Sequence, residues 1–317
     1  MKAADSHKAL RTLVAHAWDQ EITWGQISAW AENFSGETAV QSIEREHALT
    51  ALSRFIYFGK RLVREMLRSL YRDHFEAPTI QRIRRNARGT RDTNLLRIAF
   101  EHELGATRFV GVGNPSESGA HLLYYFRQIN HLSKELFVDL GGAFAVDGVS
   151  NRASPLRPVD PSATRYIFFD DLVGSAEQSK DYLAERLKRI RKHDPSLDLR
   201  FMSLFATSKG LGTLNAPGLF DGKATCLFEL DDTYKAFHAD QRYFPSSLEP
   251  EFDVAVFKTM AAHYGSRLKP KHPLGHKDGQ LMIGFTHNTP DNTLPIYWNE
   301  GTSVPWTPAF VRYDKVY

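Results

Sequence analysis

The fold is decided by the stretch Tyr166-Ile167-Phe168-Phe169-Asp170-Asp171-Leu172-Val173-Gly174-Ser175-Ala176. Residues 165–169 are mostly apolar and aromatic and predict a buried strand, and a charged amphipathic helix follows from about residue 175 to 192. A strand that runs through a short turn into a helix is typical of an α/β fold with a mainly parallel sheet. Ligands of such sheets bind beyond the carboxyl ends of the strands. We therefore expect the functional site beside Asp170 and Asp171.

Strands and helices continue to alternate on both sides of this stretch. Strands are predicted at 107–112, 199–206, 225–230 and 281–285, and helices at 120–129 and 250–268. The first hundred or so residues instead repeat apolar residues at three- and four-residue spacing, which predicts about four helices. The fold class is therefore α/β, with a Rossmann-like, mainly parallel sheet and an N-terminal helical cap. We place the helical region at 1–104 and the α/β domain at 105–317.

The composition is that of a globular protein. The 317 residues are 42% hydrophobic and 24% charged, which excludes a disordered or a fibrous chain. No apolar run approaches the roughly 18 residues of a membrane span, and the N-terminus lacks a signal-peptide segment, so we expect a cytoplasmic protein without a membrane partner. The 40 Lys and Arg against 37 Asp and Glu leave a charge of +3. Any nucleic-acid-binding surface must therefore be local.

The single cysteine, Cys226, predicts neither a disulfide nor a zinc site. It has no second cysteine to pair with, and no Cys or His lies near it at zinc-ligand spacing. It is flanked by Leu227 and Phe228 and is expected to be a small core residue.

The chemistry of the deciding stretch fits a ribose phosphate. The adjacent carboxylates of Asp170 and Asp171 can accept hydrogen bonds from the vicinal hydroxyls of a ribose. The backbone N–H groups at the start of the following helix can bind a phosphate, and Ser175 adds a hydroxyl donor. A diol together with a phosphate indicates a ribose 5-phosphate group.

Three other interpretations compete for the same strand. A Walker B pair needs a G-x-x-x-x-G-K-[ST] loop, but the nearest stretch, 218–224, is one residue short and has Ala224 after the lysine. An aspartyl phosphatase motif needs a second Asp two positions after the first, where Leu172 stands. The third interpretation, that one Asp at the end of the strand only caps the following helix, stays open, although one cap does not need two carboxylates.

Three segments together resemble a known family: 167–178, 118–130 (SGAHLLYYFRQIN) and 285–298 (FTHNTPDNTLPIYW). The first is similar to the signature with which type I phosphoribosyltransferases bind phosphoribosyl pyrophosphate (PRPP). All three resemble the phosphoribosyltransferase-like family of bacterial conflict and antiphage operons called PRTase-CE, from about residue 24 to the C-terminus. The resemblance implies a Rossmann-like parallel sheet that binds PRPP or a related ribose phosphate or nucleotide together with Mg²⁺.

The resemblance also implies roles for individual residues. Asp170 and Asp171 would hold the ribose hydroxyls and Mg²⁺, and the loop for the 5-phosphate would consist of Gly174, Ser175 and Ala176. The loop at 111–119 would bind pyrophosphate, with contacts from Gly113, Asn114, Ser116, Ser118 and Gly119. The long segment 139–162 corresponds to the flexible catalytic loop, with two cations to cover the leaving pyrophosphate, Arg152 and Arg157. A plain glycine-rich turn and a plain surface loop stay open as alternatives for these last two segments.

The family pattern is broken at two positions of the phosphate loop. Ala176 stands where glycine is usual, and a methyl there either forbids a positive φ or crowds the phosphate. Gly174-Ser175 stands where metabolic members have Thr-Thr, which removes a hydroxyl. Two functions therefore stay open. One is a PRPP-binding phosphoribosyltransferase acting in antiphage defence, and the other is a catalytically inactive fold that serves as a ligand-binding or nucleic-acid-associated subunit.

Transfer in the first case would need no protein nucleophile. The anomeric carbon becomes cation-like as pyrophosphate leaves, so catalysis would rest on Mg²⁺, N–H donors, loop arginines and the position of the acceptor. The resemblance also implies a protein partner from the defence system, such as a reverse transcriptase or a nucleotide sensor.

Two basic clusters and one aromatic segment complete the candidates. The clusters, which either bind nucleic acid or form solvated faces, are Arg82, Arg84, Arg85, Arg88 and Arg91, and Arg186, Lys188, Arg189, Arg191 and Lys192. Residues 288–298 either form side-chain-pinned turns or, with Trp298 and Trp306, stack on the base of an acceptor.

Overall fold

The computed structural model describes residues 3–112, 118–147, 154–248, 252–301, 304–310 and 312. Within these ranges the helices are α1 (Ala3–Thr12), α2 (Trp24–Ala31), α3 (Gln41–Leu52), α4 (Lys60–Tyr71), α5 (Ala77–Asn86), α6 (Thr93–Gly105), α7 (Ser118–Ile129), α8 (Leu140–Ala143), α9 (Glu177–His193), α10 (Ser208–Leu214) and α11 (Val254–Leu268). The strands are β1 (Ile56–Phe58), β2 (Thr107–Gly111), β3 (Phe137–Val138), β4 (Phe144–Val146), β5 (Leu156–Pro158), β6 (Arg165–Val173), β7 (Asp198–Thr207), β8 (Ala224–Leu230) and β9 (Ile283–Phe285).

The chain forms two compact units. One contains residues 1–63 together with 231–317, and the other contains residues 64–230. The first unit joins distant parts of the chain because α3 packs against α11 and the indole N–H of Trp30 donates a 2.7 Å hydrogen bond to the carbonyl of Ile296. The division predicted from the sequence pattern, 1–104 and 105–317, stays a prediction and has limits different from those of the compact units.

The second unit is built on a five-stranded sheet. Its strand order is β3-β2-β6-β7-β8, and every neighbouring pair is parallel. Numbered along the chain, this is the order 2-1-3-4-5 of a doubly wound α/β sheet. The predicted fold class, a Rossmann-like and mainly parallel α/β sheet, is confirmed.

The central strands form because their sequence suits burial on both faces. Residues 166–169 of β6 are apolar or aromatic throughout and at most 1% exposed, as expected for a parallel sheet covered on both sides. The helix α9 covers part of this sheet with Leu183, Leu187 and Ile190, which are all fully buried. Their spacing of four and three residues places them on one helix face.

β6 is longer than the sequence pattern predicts. The predicted strand ends at residue 169, but the observed strand continues through Asp170 and Asp171 to Val173. The prediction was wrong because two carboxylates indicate a turn locally, whereas the neighbouring β7 pairs with these residues up to Val173, opposite Ala206.

Two further predictions are corrected by strand pairing. The segment 139–162, predicted as a long loop, contains α8 and an antiparallel pair of strands, β4 and β5. The last predicted strand, observed as β9, does not join the five-stranded sheet. It pairs with β1 in a separate parallel sheet of the first unit, with Phe58 opposite Phe285.

Candidate functional site

The topology of the main sheet creates a crevice between β2 and β6 at the carboxyl edge. From β2 the chain moves outward to β3, and from β6 it moves outward in the opposite direction to β7 and β8. Open parallel sheets bind ligands where the connections diverge in this way. β2 ends at Gly111, opposite Phe169, whereas β6 continues to Val173. Residues 170–173 therefore border the crevice past the end of β2.

The two predicted carboxylates lie in this part of β6. Consecutive residues of a strand point to opposite faces of the sheet, so Asp170 and Asp171 lie on opposite faces. Asp170 is half-buried and Asp171 is only 8% exposed. Oδ1 of Asp170 accepts a 2.9 Å hydrogen bond from the N–H of Asp171, and Oδ1 of Asp171 accepts one of 2.8 Å from the N–H of Leu172. Asp170 is therefore the more accessible acceptor for a ligand hydroxyl.

The turn after β6 keeps a glycine-like backbone with an alanine. Ala176 is the N-cap of α9 and has φ 59° and ψ 7°, in the left-handed region. This conformation costs an L-residue about 1–2 kcal/mol. The methyl is buried in the same apolar cluster as Leu183, and its burial offsets about 0.8 kcal/mol of that cost. The alternative that alanine forbids a positive φ is therefore excluded.

Some groups at the start of α9 favour the binding of a phosphate, and one group opposes it. Ala176 offers no side-chain cap, so its side chain does not occupy the first N–H groups of the helix, and these attract anions. The half-buried Ser175 adds a hydroxyl to the turn. Glu177 is the exposed first residue of α9, and its carboxylate competes with a phosphate for the positive end of the helix dipole.

Thr207 and Gly210 hold this turn in place, and the sequence patterns did not single them out. Oγ1 of Thr207 donates a 2.6 Å hydrogen bond to the carbonyl of Gly174 and accepts a 3.0 Å bond from the N–H of Gly210. A Cβ added to Gly210 would lie 2.1 Å from the oxygen of Gly174, so only glycine allows this approach. The available signal was an N-cap threonine followed three residues later by a glycine, directly after a strand.

Several predicted contact residues have no described position. Gly113, Asn114, Ser116 and Arg152 lie outside the described residues, and their roles stay predictions. Ser118 and Gly119 are the first two residues of α7, which follows the carboxyl end of β2. That position agrees with the N–H groups expected for a pyrophosphate loop, and the contacts themselves stay predictions.

Arg157 lies away from the phosphate turn. The hairpin of β4 and β5 is attached to the last turns of α9, because Nε of Arg189 donates to the carbonyl of Ser154 at 2.6 Å and Nδ1 of His193 lies 3.0 Å from Oδ2 of Asp147. Residues 176 and 189 are separated by about 20 Å along the helix. Phe144 packs against Tyr166, near the amino end of β6. The hairpin that carries Arg157 thus lies toward the amino edge of the sheet, and a role of Arg157 in covering the pyrophosphate stays a prediction.

Part of both basic clusters serves an ion-pair network at that amino edge. Asp198 contacts Nε of Arg165 at 2.8 Å, Nη2 of Arg200 at 2.8 Å and Nζ of Lys223 at 3.1 Å. Glu103 contacts Arg165 and Arg82, both at 2.9 Å. From the second cluster, Arg191 forms an ion pair with Asp221, and Arg189 donates a hydrogen bond to the carbonyl of Ser154, so these arginines stabilise the fold. In the first cluster, Arg85, Arg88 and Arg91 are exposed. Binding of nucleic acid by these arginines stays a prediction.

The segment 288–298 is a buried structural element of the first unit. Thr293 is fully buried and donates to the carbonyl of Ile283 at 2.7 Å. Trp298 and Trp306 are 6% and 7% exposed, and their indole N–H groups donate to the carbonyls of Thr293 and Ile296. Their rings are therefore packed inside the protein, which excludes the alternative that they stack on a base and leaves the structural alternative.

The carboxylates are compatible with a substrate-bound Mg²⁺. Within the described ranges, no group of three or more His, Cys, Asp or Glu side chains is arranged to hold a metal ion. Mg²⁺ is usually held by one or two carboxylates together with substrate phosphates. The accessible Asp170 would be its protein ligand, and the ion would bind together with a polyphosphate substrate.

The comparisons with known proteins assign the chain to a family. None of the described helices is both long and apolar enough to cross a lipid bilayer. No curated protein matches the sequence. The profile of the family PRTase-CE matches residues 27–312, which is most of the chain and contains all of the second compact unit and most of the first. The chain therefore belongs to the PRTase-CE family.

Proposed function

We propose that the crevice between β2 and β6 binds PRPP or a related ribose phosphate or nucleotide. One observation carries the proposal: the point where the strand order diverges coincides with Asp170 and with the turn that starts α9. A ribose phosphate offers a diol to a carboxylate acceptor and a phosphate to backbone N–H donors. Membership of a phosphoribosyltransferase-like family supports the same ligand class.

In the reaction that this site would catalyse, the bond from C1 of the ribose to a pyrophosphate oxygen breaks. A nucleophilic atom of the acceptor forms the new bond to C1. Asp170 would fix the ribose hydroxyls, the turn 174–176 would hold the 5-phosphate, and the N–H groups at the start of α7 would face the pyrophosphate. The contribution of the chain is positioning and charge stabilisation, and Mg²⁺ would neutralise the leaving group.

The biological role that we propose is that of an effector in a cytoplasmic antiphage defence system. The support is the family membership. A protein partner, such as a reverse transcriptase or a nucleotide sensor, is part of this proposal. Co-purification of the chain with the products of its neighbouring genes would test it, and a chain that isolates alone from infected and uninfected cells would contradict it.

Calorimetric titration with PRPP and Mg²⁺ tests the ligand. We expect Asp170→Asn to weaken binding at least about tenfold, because a charge-assisted hydrogen bond contributes roughly 1.5–3 kcal/mol. Asp171→Asn is expected to have a smaller effect on affinity, because this carboxylate is 8% exposed. Asp240→Asn, which removes an exposed carboxylate from the other unit, is the control. Wild-type protein without measurable heat of binding would contradict the proposal.

A second candidate function is a ligand-binding subunit without transfer activity. The carboxylate of Glu177 at the phosphate turn favours it, because it competes with a phosphate for the positive end of the helix dipole. A pyrophosphate-release assay separates the two functions. Release that is equal in wild type and in the Asp170→Asn, Asp171→Asn double variant would favour the subunit, and release that the double variant loses would favour the enzyme.

A further inference from the structure

Two basic side chains lie beside Trp298, and a pair of histidines lies near one of them, in the unit formed by residues 1–63 and 231–317. Nζ of Lys269 lies 4.9 Å from the centre of the Trp298 ring, and the guanidinium carbon of Arg312 lies 5.0 Å from it. The rings of His272 and His276 are 4.6 Å apart. We call Lys269, His272, His276 and Arg312 the Lys269 cluster.

The positive charge of this cluster is incompletely neutralised. Asp291 lies 3.9 Å from Nη2 of Arg312, while in the described part of the chain Lys269 has no carboxylate within 4 Å. Burial lowers the pKa of Lys269. Burial and the nearby charges of His276 and Lys269 lower the pKa of His272. Half-buried cations that repel one another are stabilised by an anion between them.

The backbone beside the cluster is held in an unfavourable conformation. Lys277, Asp278 and Gln280 have φ values of 54°, 56° and 51°, and none of them is glycine. Left-handed backbone is unfavourable for residues other than glycine, and such residues concentrate at functional sites.

The motif at 285–298 maintains this conformation. The N–H of His276 donates to the carbonyl of Asp291 at 2.6 Å, and Nδ2 of Asn292 donates to the carbonyl of His276 at 3.1 Å. A Cβ on Gly275 would lie 2.3 Å from the carbonyl oxygen of Asn292, so the two segments are in close contact. The segment 285–298, one of the three that resemble the family, therefore positions His276 in the cluster.

We propose that the Lys269 cluster, which lies in the unit formed by residues 1–63 and 231–317, binds a phosphate group. Ammonium, guanidinium and imidazole groups together suit a phosphate, which accepts several charge-assisted hydrogen bonds. The site would recognise only the phosphate and not a base, because the Trp298 ring is 6% exposed and cannot stack on a base. Free phosphate compounds and the backbone of a nucleic acid offer the same group, and the experiment distinguishes these sources.

Lysine acetylation footprinting of the full chain reads this site directly. The protein is treated with a limiting amine-acetylating reagent, and the acetylation of each lysine is measured by mass spectrometry. The reaction is run with inorganic phosphate, with a single-stranded oligonucleotide, and with sodium chloride at matched ionic strength. We expect phosphate at ten times its Kd to slow acetylation of Lys269 about tenfold, by mass action. The exposed Lys271, two residues away, is the internal control and is expected to react at an unchanged rate.

The outcomes divide clearly. Protection of Lys269 by inorganic phosphate alone assigns the site to free phosphate compounds, and stronger protection by the oligonucleotide assigns it to a nucleic-acid backbone. Either result supports the proposal, as does loss of the protection in His272→Gln. Equal protection of Lys269 and Lys271, or equal protection by chloride and phosphate, would overturn it. The readout does not depend on the proposed function of the crevice, because the label is scored at Lys269 itself.

Discussion

The hydroxyl of Thr207 donates a 2.6 Å hydrogen bond to the backbone carbonyl of Gly174. The same oxygen accepts from the N–H of Gly210, so one side chain joins the turn after β6 to the turn after β7. These turns lie at the carboxyl ends of adjacent parallel strands, where the candidate site is. Thr207 therefore acts on the proposed phosphate turn as a positioning residue.

Replacement of Thr207 by valine is expected to loosen the phosphate turn. The variant loses the bond to Gly174 and the N-cap of α10, each of which contributes about 1 kcal/mol. We expect a free energy of unfolding lower by about 2 kcal/mol and an affinity for PRPP lower by about tenfold, measured by urea titration and calorimetry. Thr207→Ser keeps the hydroxyl and should restore both. Equal affinities of the valine and serine variants would contradict the positioning role.

Replacement of Gly210 by alanine is expected to displace Gly174. The new Cβ would lie 2.1 Å from the oxygen of Gly174, so the backbone must shift, at a cost of roughly 1–3 kcal/mol. Gly212→Ala, in the same helix, is the control because no atom lies within 4 Å of its added Cβ. The control should be stabilised by up to about 1 kcal/mol through helix propensity. Opposite shifts of the urea midpoint in the two variants test this prediction, and parallel shifts would refute it.

Replacement of Ala176 by glycine is expected to leave stability nearly unchanged. It relieves about 1–2 kcal/mol of left-handed strain. Loss of the buried methyl lowers the free energy of unfolding by about 0.8 kcal/mol. The greater conformational entropy of glycine in the unfolded chain lowers it by about a further 0.4–1 kcal/mol. Ala184→Gly, inside α9, has no strain to relieve and should lose about 1 kcal/mol. Equal losses in the two variants, measured by urea unfolding, would show that Ala176 is not strained.

Asp198 is expected to make stability depend on pH in acid. Burial opposes its ionisation, but hydrogen bonds from Arg200, Arg165 and Lys223 outweigh burial and hold the pKa of Asp198 well below its usual range. A carboxyl with a depressed folded-state pKa contributes stability above its unfolded value of about 3.9, and the contribution is lost as the pH falls toward the folded value.

The test compares Asp198→Asn with wild type from pH 7 to pH 2. Loss of the Asp198 carboxylate leaves the buried charge of Arg165 without this partner and should lower the free energy of unfolding by about 3 kcal/mol at pH 7. The difference should shrink as the pH falls below about 4, because the unfolded wild-type chain then binds a proton at Asp198 that the folded chain does not bind, which lowers the stability of wild type. Asp181→Asn, an exposed position on α9, is the control and should show no such convergence. A difference that stays constant with pH would contradict the assignment.

The sequence predicted the part of the candidate site that is formed by residues close together in the chain. The run from Tyr166 to Ala176 identified the strand, the carboxylates and the start of α9, because apolar runs, small-residue turns and helix periodicity are encoded by neighbouring residues. The link from Thr207 to Gly174 escaped prediction because it joins residues 33 positions apart, and no local pattern reports that approach.

The sequence by itself determined that this is an α/β chain of the PRTase-CE family, because apolar runs that alternate with helical patterns predicted its strands and helices. Only the tertiary structure decided that β6 extends through Asp170 and Asp171, that β9 pairs with β1, and that the hairpin of β4 and β5 lies toward the amino edge. The physical reason is pairing: a strand ends where its neighbour stops supplying hydrogen bonds, and the neighbour comes from a distant part of the chain.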